Sequence, residues 1–179
     1  MKKNFVLISL LLIGLFSCDN DTDEQGPLPT ISNYTVEGEH DHDSHERSLD
    51  EGEETELEMG GEAHIDAELA GQNLKTVLLD IHWGEGHTHD RVQSVEDSVQ
   101  WTEKIEWNFG VEGGLTPEGI FPSNHDFHQH IDVPAEIDGK PVREGEYHFV
   151  LFLWDQDGNE TQQALTVHVH AHEEEEAEL

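Results

Sequence analysis

Apolar and aromatic positions in this chain gather into short runs separated by polar, Gly- and Pro-containing stretches: Ile31 to Val36, Ala63 to Leu69, Leu74 to Trp83, Val99 to Phe109, Phe127 to Val133, Tyr147 to Trp154 and Ala164 to Val169. Each has the length of a β-strand, and apolar residues recur within them at every second position, the period that places them on one face of a sheet. Val77, Leu79 and Ile81 point together, as do Tyr147, Phe149, Leu151 and Leu153, and Leu165, Val167 and Val169. Val99, Trp101, Ile105, Trp107 and Phe109 share a face that only Glu103 interrupts. No stretch shows a sustained helical period with caps, and the acidic segment from Ser48 to Glu58 is expected to add no more than a helical turn or two. Asp155-Gln156-Asp157-Gly158-Asn159 has the residues of a hairpin turn and lacks the full spacing of a calcium loop. The pattern predicts an all-β fold, an immunoglobulin-like antiparallel β-sandwich of about seven strands.

Charge narrows the function classes. The 179 residues include 41 Asp+Glu against 8 Lys+Arg, a formal net charge of −33, with 14 His and one Cys. Such a surface repels phosphate backbones, so nucleic acid is excluded as a partner. A lone cysteine forms no intramolecular disulfide and builds no Cys-based metal site within one chain. Stability must come from an apolar core, and the length suits one domain with flanking tails.

The N-terminus reads as an address. Met1-Lys2-Lys3 supplies positive charge, and the apolar run from Phe5 to Phe16 is shorter than the roughly 20 residues that span a bilayer. Leu15-Phe16-Ser17-Cys18 resembles a bacterial lipobox, which implies lipidation at Cys18; a soluble secreted protein cut near Ser17 is the alternative. The acidic run Asp19 to Glu24 resembles the surface-export signals of Bacteroidetes lipoproteins, or else is a plain solvated tether. The expected divisions are a signal peptide over 1–17, a lipidated acidic linker over 18–30, a His-rich domain over 31–171 and an acidic tail over 172–179.

Histidines recur in pairs two apart: His40 and His42 with His45, His87 and His89, His128 and His130, and His168 and His170 with His172. On a strand that spacing puts two imidazoles on one face, where both reach one ion; zinc, copper and nickel suit such donors. If Leu74 to Trp83, Tyr147 to Trp154 and Ala164 to Val169 are strands C, F and G of one sheet, then His82, His148, His168 and His170 fall at one end of its outer face. His87 and His89 lie in the loop leaving that end. A second cluster is expected on the other sheet, where His64, Asp66 and Glu68 face outward from one strand and His128, His130 and Asp132 from another. The plain alternative for all of these is a solvated polar surface.

His82 with His87 and His89, Phe127-His128-Gln129-His130-Ile131-Asp132-Val133-Pro134, Gly145-Glu146-Tyr147-His148-Phe149 and Asp155 to Asn159 together resemble the DUF4625 family of Bacteroidetes lipoproteins, over roughly Ile31 to Val169. The resemblance implies an immunoglobulin-like domain on a lipid anchor at the cell envelope, and it assigns no activity. On the residues themselves, the leading expectation is a lipid-anchored binding protein that captures a divalent transition metal, zinc first, at the outer membrane, with an outer-membrane transporter as a partner to consider. The second is an adhesion or carbohydrate-binding module using Trp83, Trp101, Trp107 or Trp154, of which Trp154 lies opposite its strand's apolar set. No nucleophile, base and orienting group stand in a recognisable arrangement, so no enzymatic reaction is expected.

Overall fold

The computed structural model describes residues 26–38, 55–84 and 97–171, and among them it contains strands and no helix. In chain order the strands are β1 (Thr30–Gly38), β2 (Thr55–Glu58), β3 (Glu62–Ala70), β4 (Leu74–Trp83), β5 (Glu103–Asn108), β6 (Asn124–Asp132), β7 (Glu136–Ile137), β8 (Lys140–Pro141), β9 (Gly145–Asp155) and β10 (Glu160–His170). They form a three-stranded sheet ordered β1-β3-β6, a five-stranded sheet ordered β2-β10-β9-β4-β5, and the small hairpin β7-β8.

Alternation explains why the two larger sheets stack. Ala63, Ile65, Ala67 and Leu69 of β3 are buried, as are Val77, Leu79 and Ile81 of β4 and Tyr147, Phe149, Leu151 and Leu153 of β9. One continuous core joins them. Trp107 packs edge-on against Phe127 across the sandwich with ring centroids 5.1 Å apart, and the Tyr34 hydroxyl donates to the Phe149 carbonyl at 3.2 Å. Small residues on β3 leave room for large ones on its neighbour: Ala67 sits opposite Phe127, and Ala63 opposite Ile131. In β1 the inward phase shifts, because Asn33 adopts a left-handed φ of 50° and the register slips between Ser32 and Thr35. Asn tolerates that conformation, and the bulge lets both Ile31 and Tyr34 pack inward although they are three apart.

The sheet order β10-β9-β4 puts these strands in the positions of G, F and C of an immunoglobulin-like sandwich, as the sequence predicts. Tyr147 closes a tyrosine corner near the start of β9: its hydroxyl donates to the Arg143 carbonyl at 2.7 Å and accepts from the Trp101 amide at 3.3 Å. The predicted turn at Asp155–Asn159 also forms. The buried Asp155 carboxylate accepts from the Asn159 amide at 2.9 Å and from its side-chain Nδ2 at 2.8 Å, and Gly158 supplies a φ of 84°.

Three expectations need correction. Thr55 to Glu58, assigned to a helical turn, instead form β2, because pairing with β10 satisfies their backbone and buries Leu57 in the core. That pairing is parallel, so the sandwich is not wholly antiparallel. The run from Val99 to Phe109 is a ladder only over β5. Val99 makes an isolated bridge to Val142, and the indole N–H of Trp101 donates to the Glu103 carboxylate at 3.0 Å, which accounts for a charge beside an apolar face.

Candidate metal centre

The outer face of the three-stranded sheet follows from the same period of two. With alternate residues of β3 buried in the core, Glu62, His64, Asp66 and Glu68 must point outward, and on β6 Phe127 and Ile131 turn in while Asp126, His128, His130 and Asp132 turn out. The antiparallel register then sets the pairs: His64 opposite His130, Asp66 opposite His128, and Glu62 opposite Asp132. Glu37 of β1 flanks His64 from the other side. None of β1, β3 and β6 carries a Lys or Arg, so no cationic side chain of these strands competes for the carboxylates.

Glu62, His64 and His130 each offer one ligand atom, and the three atoms lie within 4.8 Å of one another; among the described residues no other set of three His, Cys, Asp or Glu does so. The Glu62 Oε1 is 2.5 Å from His130 Nδ1 and 3.5 Å from His64 Nε2. His64 Nε2 is shielded from solvent and has no hydrogen-bond partner among the described residues. A shielded nitrogen in that state costs free energy unless something fills its lone pair or takes its proton. His128 extends the group. Its Nε2 is 2.8 Å from His130 Nε2, and its Nδ1 is 2.7 Å from Asp66 Oδ1. A carboxylate holding one ring nitrogen while the other faces a cluster is how ligating histidines are commonly oriented.

Electrostatics favour the ionised carboxylate. The hydrogen bond from His130 holds the Glu62 carboxyl below the usual carboxylate range; slight desolvation works the other way, and the charges of His130 and His64 reinforce the lowering. One carboxylate and two imidazoles, with a third imidazole adjoining, form a donor set that suits zinc and also copper or nickel.

The cluster expected on the five-stranded sheet assembles only in part. His82 and His148 are directly opposite on β4 and β9, with ring centroids 5.4 Å apart. His168 instead faces Glu146, its ring stacks on that of His170 at 6.2 Å, and His170 Nδ1 lies 3.1 Å from the Ala171 carbonyl oxygen. The four imidazoles therefore share a face without converging on one point, because His168 lies two pairs further along the β9–β10 ladder than His148, whose partner there is Thr166. Cys18, His40, His42, His45, His87, His89 and His172 lie outside the described residues. Of the tryptophans, Trp101 is buried, while the partly buried Trp154 lies parallel to Phe152 and donates its indole N–H to Glu160 at 2.7 Å.

Glu62 is the residue that sequence reading left out. It precedes the first apolar position of its run, and only the two-residue period continued backward from His64 would have included it.

Comparison with known families places the chain. The DUF4625 profile, described as a domain of unknown function, matches residues 16–170, and the chain belongs to that family. No curated protein matches it.

Proposed function

We propose that this protein is a non-enzymatic metal-capture protein of the cell envelope, held at the outer membrane by a lipid on Cys18, which binds a divalent transition ion, zinc first, through Glu62, His64 and His130 with His128 beside them. The observation that carries the reading is the mutual approach of one ligand atom each from Glu62, His64 and His130, beside a solvent-shielded His64 Nε2 that makes no hydrogen bond among the described residues. Supporting it are the carboxylates of Glu37, Asp66, Glu68, Asp126 and Asp132 on the same face and the formal charge of −33, which concentrate divalent cations locally. The leader and the Leu15-Phe16-Ser17-Cys18 sequence support the anchor.

Equilibrium dialysis of the full-length chain against zinc, followed by elemental analysis, tests this reading beside a His64→Ala/His130→Ala variant. The variant is expected to retain one equivalent fewer of tightly held zinc. Zinc content indifferent to those substitutions overturns the site, and glycan binding lost on Trp154→Ala would put the adhesion reading in its place.

A further inference from the structure

The opposite outer face of the sandwich carries a second arrangement that shares no residue with the first. We infer that His82 and His148 form a cross-strand clip, a separate and weaker site for a divalent transition ion on the five-stranded sheet. Three observations lead there. First, the β4–β9 register sets these two imidazoles directly opposite each other with ring centroids 5.4 Å apart, so a single ion between the strands is within reach of both. Second, His82 is already oriented. Its Nδ1 is 3.4 Å from Asp80 Oδ1, while the other oxygen of that carboxylate is fixed by Lys104 Nζ at 2.6 Å. A carboxylate on Nδ1 leaves Nε2 as the ligating atom.

Third, the space beside the partner nitrogen is kept open by the main chain. Gly84 follows β4, and its amide donates to the Glu146 carbonyl at 3.0 Å. A Cβ placed on Gly84 would stand 3.1 Å from His148 Nε2, closer than ordinary van der Waals contact. Glycine at this position therefore spares His148 Nε2 a crowding methyl group while the chain passes close to it. Two imidazoles completed by water select ions that prefer nitrogen, with copper(II) above zinc and nickel. With two protein ligands against three or four, the clip is the weaker of the two sites.

The inference does not depend on the first site, and the test separates them. Zinc stoichiometry at saturation is measured by dialysis and elemental analysis on the full-length parent, His82→Gln/His148→Gln, His64→Ala/His130→Ala, and the variant combining all four substitutions. The expected result is one equivalent lost in each double variant and the two losses adding in the combined one. A His82→Gln/His148→Gln protein with parental zinc content overturns the clip. If only His64→Ala/His130→Ala leaves the content unchanged, the first site fails and the clip stands. Gly84→Ala supplies a variant that removes no ligand: it should weaken zinc at the clip by crowding His148 Nε2 and leave the three-stranded sheet's zinc in place. Unaltered zinc binding by a folded Gly84→Ala protein counts against His148 Nε2 as a ligand.

Discussion

Replacing Tyr147 by Phe removes one oxygen from the centre of the tyrosine corner and nothing else. The ring is fully buried, and its edge-on contact with Trp83 at 5.2 Å and its packing near Trp101 at 6.1 Å survive, so the transfer of apolar surface is nearly unchanged. Two hydrogen bonds are lost. The Arg143 carbonyl, only half-buried, can turn to water, and that bond contributes about 1 kcal/mol. The Trp101 amide belongs to a buried residue, and leaving a buried donor unpaired costs about 1–3 kcal/mol, toward the lower end because the existing contact is long at 3.3 Å. The sum is about 2 kcal/mol, which for a chain of this length lowers the thermal midpoint by about 4–8 °C. Urea denaturation of the two proteins followed by tryptophan fluorescence measures it, with an unchanged m-value showing that the same structure unfolds. A loss under about 0.5 kcal/mol would refute the reasoning and assign the corner no energetic role.

Two further outcomes follow from the charges. Zinc affinity should fall as the solution is acidified, since an imidazole must be unprotonated to ligate; Glu62, held below the ordinary carboxylate range by His130, stays ionised in mild acid, so the loss tracks the histidines. Affinity measured by competition with a chromophoric chelator and found equal at about pH 7.5 and 5 would exclude histidine ligation. For Asp80, burial opposes the charge, but the hydrogen bond and charge of Lys104, with His82 adding, hold its carboxyl below the usual value. A lowered folded-state value gives stability that is complete above about pH 4 and is lost as pH falls through that lower value. Lys104→Met should accordingly destabilise the fold at neutral pH, with the gap from the parent narrowing in acid, and a gap that stays constant to about pH 2 would contradict the pairing.

Much of the architecture can be read from single positions along the chain. The two-residue period of Val77, Leu79 and Ile81, and of Tyr147 to Leu153, assigns inward faces that the structure buries, and the same rule sends His64, His128 and His130 outward. Those statements need only local backbone geometry, because on a strand the face of a side chain depends on its parity. The hairpin at Asp155–Asn159 is local in the same sense: its buried carboxylate is satisfied by a residue four positions on.

Parity does not say which residue stands opposite which, and there the tertiary structure decided. Thr55 to Glu58 offer a single deeply buried apolar position, Leu57, and become a strand because β10 presents a free edge to pair with. The register of β3 against β6 sets His64 beside His130 and brings Glu62 into the same group. On β10 a step of two pairs along the ladder sets His168 against Glu146 and separates it from His148. The composition determined that histidine and carboxylate would dominate this surface, and the alternation determined which of them face outward. Which of them meet depended on strand order and register, because contacts between residues more than sixty positions apart are set by how the whole core packs and not by the sequence around either one.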